Sequence, residues 1–140
     1  GTTQLQVVAA VRYITNGTYL GIMKEMLEAP VSDNMQPLKT RIAKLVALYE
    51  EALNKVNGDE SQDEHDFLAR RLYDMTAEII MSLLIIADAS KAPELFEKSA
   101  NVYVRMAEED VIGKAAYIKA FNVDDLKSFV ADTTAEETEA

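Results

Sequence analysis

The sequence predicts an all-α protein, an antiparallel helical bundle of about four major helices plus a short C-terminal helix. Three observations carry that expectation. Only 5 glycines and 3 prolines punctuate 140 residues. Apolar residues recur at three- and four-residue spacing rather than alternating, and the stretches between breakers are too long for strands. The connections are short, which favours antiparallel neighbours.

The first helical stretch runs from near Thr3 to Ala29, where Pro30 stops it. Asn16-Gly17 and Gly21 are its candidate kinks, and the Gly17/Gly21 spacing reads as a local weak point in a soluble chain. Pro30 to Gln36 reads as a connection. Pro37 suits a first helical turn, after which Leu38, Ile42, Leu45, Val46, Tyr49, Leu53 and Val56 share one face, until Asn57-Gly58 ends the helix. Lys39, Arg41, Lys44, Glu50, Glu51 and Lys55 fill the other positions, so this is an amphipathic helix with a solvated side. Its mixed charge argues against a membrane-surface role.

Ser61-Gln62-Asp63-Glu64 has the form of a capping box and starts the central helix near Gln62. Phe67, Leu68, Leu72, Met75, Ile79, Leu83 and Ile86 mark its main face. Ile80, Leu84 and Ile85 widen the stripe until the second half is apolar almost all round, so neighbours are expected on every side. Pro93 opens the next helix, carried by Leu95, Phe96, Ala100, Tyr103, Ala107, Val111, Ala115, Ile118 and Phe121. Asn122 and Asp124-Asp125 cap a short last helix ending near Ala131, and 132–140 reads as a disordered acidic tail.

Composition narrows the function. With 24 acidic against 14 basic residues and a formal charge of −10, the chain would repel phosphate backbones and anionic lipid heads, so neither nucleic acid nor membrane is expected as a partner. The absence of cysteine removes disulfides, thiolate metal sites and a Cys nucleophile, and with no leader-like or spanning segment the expected location is cytoplasmic. The longest apolar run, 79–87, is far shorter than the roughly 20 residues a bilayer needs.

Local motifs for chemistry are sparse. There is no Gly-rich phosphate loop, nucleophile elbow or paired zinc spacing. A di-iron bundle needs Glu-x-x-His pairs, yet the single histidine, His65, has Gln62 three residues before it. No metal site is expected, and His65 reads as an exposed residue of the first turn of the central helix. Asp74, Glu78 and Asp88 either face solvent or are met by partners such as Arg70, Arg71 or Arg105, because an isolated buried carboxylate is costly. Methionines 23, 26, 75, 81 and 106 and tyrosines 73, 103 and 117 read as core filler.

The opening Gly1-Thr2-Thr3-Gln4-Leu5-Gln6, followed by an apolar helix, resembles the end of the Tyr-Glu-Gly-Thr-x-x-(Ile/Leu)-Gln motif of acyl-CoA dehydrogenases. A second resemblance runs from Arg71-Leu72-Tyr73-Asp74 to Ala87-Asp88-Ala89 and on through Lys98-Ser99-Ala100-Asn101-Val102-Tyr103-Val104. It is similar to the extra C-terminal helical region of longer members of that family.

The resemblance implies a domain plan: 1–29 as the end of the dehydrogenase core motif with its following helix, and 35–131 as an additional helical bundle domain. It implies that the catalytic Glu, the base that removes the α-proton of the acyl thioester, lies just before Gly1, so this chain holds no catalytic residue. Gly1 matches the substrate-binding position, and Thr2, Thr3 and Gln4 match the stretch contacting FAD. Glycine admits close backbone approach, and hydroxyl and amide groups beside a helix N-terminus suit an anionic dinucleotide. Thr2 or Thr3 also suits a simple N-cap. The implied cofactor is FAD in the intact enzyme, with none on this fragment. The implied partners are the upstream dehydrogenase domains, acyl-CoA, an electron-transfer flavoprotein and further copies of the enzyme. The alternative is a non-enzymatic helical interaction module whose Gly-Thr-Thr-Gln start is coincidence.

Overall fold

In a computed structural model the described residues are 15–58 and 62–121. Gly1, Thr2, Thr3 and Gln4, the Ser61 half of the capping box, the short last helix and the acidic tail lie outside them. The described residues are all-α: α1 (Thr18–Glu28), a single 3-10 turn (Asp33–Met35), α2 (Gln36–Gly58), α3 (Gln62–Lys91) and α4 (Pro93–Ala120). Three of the four α-helices are long, and α1 is short.

The breakers act where their chemistry demands. Gly17 adopts φ 84, a left-handed conformation that glycine takes without strain, and it separates helical Thr15 from α1. Asn16 Oδ1 accepts from Thr18 N–H at 3.0 Å and satisfies one of the orphan donors of the helix start. Gly21, by contrast, makes no break: its N–H donates to Gly17 O at 3.1 Å, inside regular helix. Ala29 is extended because the ring of Pro30 excludes the helical conformation from the residue before it.

The stretch from Pro30 to Gln36 is more than a connection. Its 3-10 turn buries Met35 in the core, and Ser32 N–H donates to Ser90 Oγ near the end of α3 at 3.1 Å. All seven apolar residues expected on the inner face of α2 are buried, joined by Ala52. Pro93 occupies the first turn of α4, and Ala92 alone separates α3 from α4.

That minimal link turns the chain back on itself. Phe67 stacks on Phe121 with centroids 5.3 Å apart, and the Arg71 guanidinium lies 3.9 Å from the centre of the Tyr117 ring. These pairs step in opposite directions along the two helices, the signature of antiparallel packing. Arg41 pairs with Glu108, and Lys55 with the end of α4, so α2 runs parallel to α4. The three long helices are therefore up, down, up, with α1 packed on α2 and α3.

Two expectations about faces are corrected. Leu95 is 69% exposed, and Val104 rather than Leu95 belongs to the buried row of α4 with Ala100, Ala107, Val111 and Ile118. At 100° per residue Leu95 lies almost opposite Val104, which explains the difference. The second half of α3 is not enclosed either: Met81 is 51% and Leu84 46% exposed. The described helices α1, α2 and α4 all contact α3 and still leave Met81 and Leu84 exposed.

Candidate functional site

The site residues expected from the sequence, Gly1 through Gln4, lie outside the described residues. Within them, polar chemistry collects on the seam between α3 and α4.

The register set by Phe67 on Phe121 and Arg71 on Tyr117 places Glu78 on α3 opposite Asp110 on α4. One turn further along α4, Lys114 Nζ donates to both carboxylate oxygens of Asp110 at 2.5 Å, an i,i+4 pair that occupies the ammonium. Glu78 Oε2 is enclosed and no donor reaches it. Burial first, then the hydrogen bond to Asp110 and the charges of Asp110 and Asp74, pushes the Glu78 carboxyl up to about 7. Its hydrogen bond and Lys114 hold Asp110 below the usual carboxylate range, while Asp110 raises Lys114. Tyr103 sits beside the group, its phenol pushed up by burial and by the charge of Glu78.

Asp74 and Asp88 face solvent, one of the two outcomes expected of them, and the expected partner of Glu78 is corrected. Glu78 faces Asp110, with the charge of Lys114 nearby, and not an arginine, because the register of the helical hairpin places Asp110 opposite it. Arg71 is committed to ring faces: it lies over Tyr117 and 5.0 Å from the centre of Phe67, both flanking Phe121. A guanidinium on aromatic faces contributes about 0.5–2 kcal/mol. Arg105 lines an open cleft with Arg41, Asn101 and Val102.

His65 is also placed differently from expectation. Its side chain is only 19% exposed, and Nδ1 lies 3.4 Å from Asp66 Oδ1. Among the sulfur and aromatic residues expected as filler, Met23 and Met75 are buried and Met26 and Tyr103 half-buried, whereas Tyr73, Met81, Met106 and Tyr117 are exposed. With Leu84, Leu95 and Val102 they leave the outer faces of α3 and α4 unusually apolar for a solvated surface.

The α2–α4 groove, of about 340 Å³, has Leu48, Ala52, Ile112 and Ala115 on its floor and Glu51, Lys55 and Lys119 at its rim. Its volume is at the lower end for a small-molecule site, and it has no convergent set of polar groups. Among the described residues no cluster of three or more His, Cys, Asp or Glu side chains is arranged to hold a metal ion, and no helix is long and apolar enough to cross a membrane.

Sequence reasoning missed the Glu78–Asp110–Lys114 group, although two signals for it were available. Asp110 and Lys114 have the i,i+4 spacing of a helical ion pair, and a hairpin turning on one residue fixes which positions of α3 and α4 face each other.

Comparison with known proteins gives this all-α bundle a family. Residues 15–126 match the family model described as acyl-CoA dehydrogenase C terminal. The chain is also similar to the crystal structure of the acyl-CoA dehydrogenase family protein from Porphyromonas gingivalis, at 32% identity and a TM-score of 0.75, covering 81% of this chain and 98% of that one. No curated protein matches the chain. The protein belongs to the acyl-CoA dehydrogenase C-terminal family.

Proposed function

We propose that this chain is the C-terminal helical region of a FAD-dependent acyl-CoA dehydrogenase, whose intact form carries out α,β-dehydrogenation of acyl-CoA thioesters. In that reading 1–29 ends the core motif and 35–131 is the added bundle. The family match over residues 15–126 carries the proposal. The role of the bundle is structural, providing contacts to the upstream domains of its own chain or to another subunit. The outward apolar residues of α3 and α4 supply surface for such contacts.

The α2–α4 groove does not fit FAD: it lacks a glycine cradle and a cluster of donors for a pyrophosphate. On this chain, flavin contacts fall by resemblance to Thr2, Thr3 and Gln4, and contact with the acyl thioester to Gly1. By the same resemblance the catalytic base is the Glu expected just before the position of Gly1. Electrons pass from the intact enzyme to an electron-transfer flavoprotein, and its location is cytoplasmic.

The decisive experiment uses the full-length enzyme. Changing the Glu before Gly1 to Gln should abolish acyl-CoA dehydrogenation while the flavin absorbance is kept; turnover at the wild-type rate refutes the motif. For the contact role, Leu84→Asp and Val102→Asp should alter the sedimentation coefficient or loosen domain docking as read by limited proteolysis. Unchanged behaviour in both measurements refutes that role.

A further inference from the structure

Two carboxyl groups and one ammonium meet in the α3–α4 seam, and the ammonium is already forked onto Asp110. The register fixed by Phe67 on Phe121 and Arg71 on Tyr117 leaves Glu78 opposite an acceptor, with Oε2 enclosed and no donor directed at it. An ionised Glu78 would be an unsatisfied anion beside another anion, whereas a Glu78 that carries its proton can donate to Asp110 and satisfy both groups. We propose that Glu78 and Asp110 share one proton across α3 and α4, forming a clasp that holds the helical hairpin more tightly as the solution is acidified below neutrality.

The surroundings favour this assignment. From α4 come Asp110, Lys114 and Tyr103; on α3 itself Asp74 lies one turn away and adds negative charge. Ser82 Oγ is engaged with the backbone carbonyl of Glu78 at 2.7 Å and is not donated to the carboxyl. The α2 side of α3 is on nearly the opposite face, where Tyr49 is bonded to Thr76, and Tyr19 of α1 lies near Tyr49 rather than near Glu78. The arrangement needs no ligand, and it is separate from the contacts proposed above.

The sign follows from linkage. Glu78 binds its proton more readily folded than unfolded, so its contribution is complete below its unfolded value of 4.5 and is lost as pH rises through about 7. Asp110 acts oppositely: its contribution is present above its unfolded value of 3.8 and is lost on stronger acidification. The clasp is therefore strongest in mildly acidic solution.

Carbon-detected NMR of the wild-type chain gives the direct test. The Glu78 side-chain carboxyl should titrate with a midpoint of about 7, and Asp110→Asn should move that midpoint down toward 4.5. A wild-type midpoint near 4.5, or one unmoved by Asp110→Asn, overturns the proposal. Thermal melting supplies a second test: the wild-type Tm should fall by roughly 5 °C between about pH 5.5 and about pH 8. Glu78→Gln keeps a donor toward Asp110 and should flatten that dependence; a slope equal to that of the wild type overturns the clasp.

Discussion

Lys55, near the end of α2, closes the end of α4: its Nζ donates to the carbonyl of Phe121 at 2.5 Å and to that of Lys119 at 2.8 Å. A cation there meets both the unpaired carbonyls and the negative end of the helix dipole. Lys55→Met keeps most of the aliphatic stem and removes both interactions. It should cost about 1–2 kcal/mol in urea denaturation, whereas Lys24→Met, which breaks the exposed pair with Glu50, should stay within about 0.5 kcal/mol.

The inner and outer faces of α3 should respond differently to truncation. Ile79 is fully buried, so Ile79→Ala should cost about 2–5 kcal/mol from lost burial and the cavity left behind. Leu84→Ala on the open side should change the stability of the isolated chain by no more than about 0.5 kcal/mol in the same measurement.

Two glycines four residues apart should give opposite signs. Gly17→Ala forces a side chain into positive φ and should destabilise by about 1–2 kcal/mol. Gly21 lies inside α1 with open space around an added Cβ, so Gly21→Ala should stabilise by about 0.5–1 kcal/mol. Chemical denaturation of both variants checks the contrast.

Tyr49 has a buried hydroxyl 3.0 Å from that of Thr76, and burial is the main cause that raises its phenol above 10.0. A phenol that ionises less readily when folded contributes stability that is complete below its unfolded value and lost as pH rises through the folded one. Alkaline unfolding should thus be partly suppressed in Tyr49→Phe, at the cost of about 1 kcal/mol near neutrality from the lost hydroxyl contact. Melting curves of both proteins at neutral and strongly alkaline pH test the two effects together.

Much of this architecture is legible in the sequence because it rests on local rules. Gly17, Pro30 and Pro93 set boundaries through backbone sterics, and the spacing from Leu38 to Val56 selects a single buried face. What local rules do not supply is the relation between helices. Whether Met81, Leu84 and Leu95 are covered depends on how many neighbours surround a helix, which periodicity does not encode. The partner of Glu78 depends on the register of α3 against α4, and Arg71, two turns away on the same face, is committed to the rings of Phe67 and Tyr117. The family resemblance reaches the bundle through packing residues such as Leu72, Ile79 and Ile86, while Gly1 to Gln4, the proposed substrate and flavin contacts, lie outside the described residues.

The single-residue link at Ala92 also has a consequence for how the chain acquires its structure. Contacts between α3 and α4 begin close to the turn and grow outward with small additional loop closure, the condition for fast assembly. The α3–α4 hairpin should be the early-forming unit, onto which α2 and then α1 condense. One residue inserted beside Ala92 would rotate the start of α4 by about 100°. That would set the facing rows of both helices out of phase, so the earliest contacts of the hairpin would be lost and folding would slow.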